Sequence, residues 1–77
     1  MTPKAAQFYD LRGLKCPLPV LKSRKKLSAL TEGDEIVVET SDPLAIIDIP
    51  HMCREDGNIL LEAVATDDGH RFRIRKS

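Results

Sequence analysis

Apolar and polar positions change rhythm along the chain, and each change marks an element. Phe8 to Arg12 alternates, Tyr9 and Leu11 against Asp10 and Arg12, which predicts a short strand that Gly13 ends. From Pro17 to about Leu30 the spacing is helical: Val20, Leu27 and Leu30 share one stripe, while Lys22, Lys25 and Lys26 lie elsewhere. Thr31-Glu32-Gly33-Asp34 is the stop, with Gly33 suited to a helix C-terminus. Glu35 to Thr40, β-branched at Ile36, Val37 and Val38, predicts a second strand. Ser41-Asp42-Pro43 then offers an oxygen-bearing cap and a proline just inside a helix. Leu44 to Glu55 is apolar enough for that helix, but Pro50 interrupts it. Either the helix kinks there, or one turn is followed by a new helix capped by Asp48. Asn58 to Thr66 and Arg71 to Arg75 are two more strands around Asp67-Asp68-Gly69-His70, a hairpin signal.

The order β-α-β-α-β-β implies an α/β (α+β) two-layer sandwich. Right-handed crossovers place both helices on one face of a four-stranded mixed sheet. Alternation assigns the faces. Ile36, Val38, Phe72 and Ile74 point to the helices, while Glu35, Glu39, Arg71, Arg73 and Arg75 point to water.

Size limits what such a sandwich can be. At 77 residues and 8.6 kDa it is a single domain, 1–77, with an ordered part of about 7–76. Residues 1–6, polar or small, are expected to fray. A nucleotide-binding fold plus a substrate domain does not fit. No run is apolar and long enough to span a membrane, and Met1 to Phe8 lacks the apolar core of a secretory signal. Two cysteines, Cys16 and Cys53, are too few for a disulfide framework, so the expected location is the cytoplasm. The 12 basic and 12 acidic residues cancel, which argues against a protein that coats nucleic acid.

The chemistry concentrates in Arg12-Gly13-Leu14-Lys15-Cys16-Pro17-Leu18-Pro19. Cysteine is a poor helix cap, so capping does not account for Cys16. A helix start does stabilise an anion, and Lys15 and Arg12 add positive charge. The expectation is a thiol pulled below its usual pKa of about 8.5. Pro17 and Pro19 stiffen the backbone and hold the sulfur at an exposed loop–helix junction; the regular helix starts at either Pro17 or Pro19. Asp10 is expected to fix the loop rather than enter the chemistry. No histidine base stands beside the cysteine in sequence, which weakens a Cys–His hydrolase. A lone activated thiolate can instead attack a disulfide or persulfide sulfur, which needs only a nucleophile, a leaving group and access. The competing reading is a small buried apolar cysteine.

Tyr9-Asp10-Leu11-Arg12-Gly13-Leu14-Lys15-Cys16-Pro17-Leu18-Pro19 resembles the N-terminal signature of the TusA/SirA family of small sulfur carriers, with its Cys-Pro-x-Pro hallmark. The resemblance continues through Gly33-Asp34, Ser41-Asp42-Pro43, Asp48-Ile49-Pro50 and Cys53, and covers about Phe8 to Lys76. It implies the same β-α-β-α-β-β sandwich, similar to the C-terminal domain of a bacterial translation initiation factor. It also implies a sulfurtransferase in which Cys16 accepts sulfur from a cysteine desulfurase or a rhodanese-like donor. Family members pass that sulfur towards tRNA 2-thiouridine synthesis, molybdenum-cofactor assembly or sulfur oxidation. No cofactor is called for, and the carrier is expected to be a monomer.

Other features are weighed against plainer roles. Cys53, between apolar Ile49 and Met52, is expected to be a packed thiol rather than a resolving partner. Cys16, His51, Cys53 and His70 fit no zinc spacing. Arg71, Arg73 and Arg75 could face RNA, but Glu35, Glu39 and Glu62 can pair with them, and few aromatics are available for base stacking. A non-catalytic regulatory or RNA-binding module therefore stands as the rival to the carrier. Residues 1–30 hold seven basic residues against Asp10 alone, and residues 31–70 hold eleven acids against Arg54. Lys22, with Lys15 and Arg12, is thus expected to frame a docking face for a negatively charged partner.

Overall fold

A computed structural model describes residues 6–77. The expected fraying of residues 1–6 falls almost wholly outside the described residues. The chain runs β1 (Gln7–Asp10), α1 (Leu18–Ser28), β2 (Glu35–Thr40), α2 (Ala45–Asp56), β3 (Ile59–Ala65) and β4 (His70–Arg75). The sheet order is β1-β2-β4-β3, with β1 parallel to β2 and the other two pairings antiparallel. This is the mixed four-stranded sheet with two helices that the alternation and connectivity predict.

Period-two patterning decides which face is buried. Ile36 and Val38 of β2 stand opposite Ile74 and Phe72 of β4, and all four are sealed from solvent. Leu27 of α1 and Ala45, Ile49, Met52 and Cys53 of α2 join them in one cluster, so both helices cover the same face. The other face carries the charges. Arg71 pairs with Glu39, Arg75 with Glu35, and Arg73 lies between Glu35 and Glu62. A register shift between Leu60 and Glu62 in β3 sets Glu62 opposite Arg73 and Val64 opposite Arg71.

Several boundaries differ from the sequence reading; β1, for one, ends at Asp10 rather than Arg12. Helix α1 begins at Leu18, with Pro17 as its cap residue and Pro19 in its first turn, positions where a missing N–H costs nothing. It ends at Ser28, so Gly33 does not terminate it; Gly33 sits in the turn into β2 and donates its N–H to the Lys76 carbonyl. Helix α2 runs as one helix through Pro50, which keeps the first of the two alternatives and discards a new helix capped by Asp48. The proline removes only the bond to the Ile46 carbonyl, and Ile46 is on the exposed side of the helix. The left-handed Gly57, φ +74°, closes α2, donating its N–H to the Cys53 carbonyl.

Candidate functional site

Because β1 and β2 are parallel, the segments that leave them emerge at the same end of the sheet. The loop after β1 carries Cys16, and the loop after β2 carries Ser41 and Asp42. These two loops are tied together. Ser41 Oγ accepts the Gly13 N–H at 2.8 Å, and Asp42 Oδ2 accepts the Cys16 N–H at 2.6 Å. The other Asp42 oxygen accepts the Leu44 N–H at 3.1 Å, while its carbonyl accepts the Ala45 N–H. Ser41-Asp42 thus organises the turn before α2, as its residue types suggest, but its longer reach is to the cysteine loop. The expected helix start there is not found: α2 begins at Ala45, its cap residue Leu44 makes no side-chain cap, and Pro43 lies outside the helix because Asp42 is spent on the Cys16 and Leu44 N–H groups.

Cys16 is exposed, one residue before the α1 cap, and its bond to Pro17 is cis. Its sulfur lies 3.3 Å from Asp48 Oδ2, in the first turn of α2. A groove of about 230 Å³ opens beside it between the helices. Pro17, Val20 and Met52 supply its apolar lining, and Arg24, Asp48, His51 and Glu55 its polar part.

The electrostatics overturn one expectation. The Cys16 thiol is pushed up from its ordinary value, not down. The hydrogen bond to Asp48 is the largest cause, followed by desolvation and the negative charges of Asp48 and Asp42. The expected lowering by the helix start is missing because of the prolines. A helix start stabilises an anion through free backbone N–H groups. Pro17 and Pro19 have none, the Cys16 N–H is committed to Asp42, and the Leu18 N–H to the Lys15 carbonyl at 2.8 Å. Residues 16 to 19 therefore offer no free donor to a thiolate.

Arg12 does not supply the deficit. Its Nε and Nη2 each lie 2.9 Å from an Asp10 oxygen, a two-pronged pair that holds Asp10 down to about 2. Asp10 also accepts the Arg12 N–H at 3.0 Å, the loop-fixing geometry expected of it. Lys15 is exposed and lines a second pocket with Gly13, Ser41 and Asp42. Lys22 is exposed on α1, where Leu18 and Leu21 are also open to solvent.

Cys53 is buried among Ile49, Met52 and Phe72, and burial pushes its thiol up to about 11. Sequence reasoning missed His51 and Asp48 as groove residues. His51 Nε2 lies 3.7 Å from Glu55 rather than on the sulfur, so it forms no Cys–His pair. Asp48 carried a signal that went unused: parallel β1 and β2 force residues early in the two following helices into proximity. Among the described residues, no group of three His, Cys, Asp or Glu side chains is arranged to hold a metal ion.

A small α+β domain displaying one exposed cysteine at a braced loop–helix junction has the form of a thiol carrier. The comparisons agree. The family model "Sulfurtransferase TusA" matches residues 7–76. The sulfur carrier protein TusA of Allochromatium vinosum is 35% identical over 71 residues, covering 92% of this chain and 93% of its own. Two Neisseria meningitidis proteins, from serogroups A and B, bear names that propose a sulfur carrier. Each is 41% identical over 62 residues, covering 80% of this chain and 84% of its own. The chain belongs to the TusA family of sulfur carriers. No described helix is long and apolar enough to cross a membrane.

Proposed function

We propose that this carrier works as a cytoplasmic sulfurtransferase that bears a sulfane sulfur on Cys16. The observation that carries this reading is the exposure of Cys16 at a junction braced by Ser41 and Asp42, while Cys53 is sealed in the core. A cysteine desulfurase or rhodanese-like protein presents a persulfide. The Cys16 sulfur attacks its outer sulfur, forming a new S–S bond while the donor's S–S bond breaks. The electron pair stays on the donor's inner sulfur, which takes up the thiol proton. Nothing is oxidised overall, because a zero-valent sulfur changes carrier. An acceptor protein then collects the outer sulfur by the same exchange, and tRNA 2-thiouridine synthesis is the destination we favour. The face around Lys15, Lys22, Leu18 and Leu21 is the docking surface, combining charge for steering with apolar area for contact.

Intact mass spectrometry after incubation with a cysteine desulfurase and cysteine tests the reading. The expected result is a reducible gain of one sulfur atom, absent in Cys16→Ser and kept in Cys53→Ala. No gain with desulfurase or rhodanese donors would favour a regulatory or RNA-binding module on the same fold, and a tRNA mobility shift would then be the assay.

A further inference from the structure

We propose that Asp48 is a positioning residue that holds the unloaded carrier as a protonated thiol, and that this one contact sets how readily Cys16 reacts. The proposal rests on Cys16 being the sulfur-bearing group. Its test reads the thiol directly, whether or not any donor loads it.

The geometry assigns the proton. An ionised carboxylate can only accept, so a sulfur 3.3 Å from Asp48 Oδ2 is matched to it only while the sulfur carries hydrogen. Were Cys16 a thiolate, two anions would face each other across that distance. The surrounding charges do not reverse this. Asp42, from the β2–α2 loop, is a second negative group and already accepts the Cys16 and Leu44 N–H groups. On the groove side, Arg24 is held by Asp56 at 2.7 Å and by Glu55 at 3.3 Å, and His51 stands near Glu55. Across the loop, Arg12 is occupied by Asp10, and Lys15 stands next to Cys16 in the chain without supplying the dominant influence on the sulfur. The raised thiol pKa, caused first by Asp48, is consistent with that arrangement.

Loading changes what Asp48 can hold. Once Cys16 bears an outer sulfur, its own sulfur has no proton to donate, and the reactive atom lies about 2 Å further out. Asp48 therefore discriminates the empty carrier from the loaded one. The empty thiol is restrained and the outer sulfur is not.

Nucleophilicity falls with pKa, with a Brønsted slope of about 0.4–0.5, so removing the restraint has a distinctive kinetic signature. The experiment measures the rate of attack by Cys16 on dithiodipyridine across pH, in the full chain carrying Cys53→Ala. Asp48→Asn should lower the midpoint, and Asp48→Glu should keep it raised. For each pH unit by which the midpoint falls, Asp48→Asn should react about 3-fold faster below the midpoint and about 3-fold slower at high pH, so the two profiles cross. Superimposable profiles would overturn the proposal. So would a uniform change at every pH, because altered access moves the rate but not the midpoint. Should Asp48→Asn fail to fold, the Cys16 Cβ chemical shift in the unmodified protein decides the matter. A midpoint above that of an ordinary thiol supports the proposal, and one at or below it sinks it.

Discussion

Arg12 and Asp10 are close enough in sequence to satisfy each other, and they do so at the expense of any action on the thiol. The pair lies in water, where such contacts add little stability, but it moves Asp10 far down its titration scale. The sign follows from that depression. Whatever the pair contributes is complete above the ordinary carboxyl value of 3.8 and is lost as pH falls through about 2. Arg12→Gln should therefore raise Asp10 most of the way back, the Arg12 backbone N–H still holding it somewhat below 3.8, as read by NMR of its carboxyl carbon. The same variant should leave the pH midpoint of Cys16 unchanged, because the groups that govern the sulfur are Asp48 and Asp42. Legibility differed among these residues. That Cys16 would be displayed and Cys53 packed followed from local pattern. The direction of the thiol's shift did not, because it depends on where Asp48 sits and on which N–H groups are already taken.

At the level of elements, the site depends on two loops leaving parallel strands and on the hairpin that packs beside them. Gly69, in the β3–β4 turn, lies against the end of β2. A Cβ there would land on the Thr40 carbonyl oxygen and within 2.8 Å of its carbon, both backbone atoms that cannot step aside. Gly69→Ala should therefore cost about 2–3 kcal/mol, by overpacking, in a urea titration. Gly57→Ala meets no neighbour within 4 Å and carries only the penalty of a left-handed residue, about 1–2 kcal/mol. The larger loss should thus fall at the glycine with the ordinary backbone. Element identity was legible throughout, because each apolar rhythm is local. The fate of Pro50 was not. One missing N–H breaks a helix or is tolerated according to what holds that helix, and Ile49, Met52 and Cys53 anchor α2 in the core.

Across the whole molecule, folding redistributes charge that the sequence keeps apart. Arg24, from the basic N-terminal third, meets Glu55 and Asp56 from the acidic middle, and the β4 arginines meet Glu35, Glu39 and Glu62. The first set joins the two helices, and the second lies on the open sheet face. Lys15, next to Cys16 in the chain, and Lys22 remain exposed, and on the proposed reading long-range steering of a partner falls to them. Lys22→Glu should slow sulfur acceptance from a desulfurase several-fold at low ionic strength. The difference should vanish near about 1 M salt, where screening acts within about 3 Å. Stopped-flow loading at several salt concentrations checks this, and equal rates for both proteins at low salt would remove Lys22 from the docking face.

By itself the sequence determined the order of elements, the buried face of the sheet, the packed state of Cys53 and the display of Cys16 between two prolines. Each of these depends on neighbours within a few positions or on a regular period. Tertiary structure alone decided the environment of the sulfur. Asp42 and Asp48 stand 26 and 32 residues away in the chain and arrive beside Cys16 only because β1 and β2 run parallel. A thiol's pKa responds to charges and donors within a few ångströms, and those distances exist only after the sheet has closed.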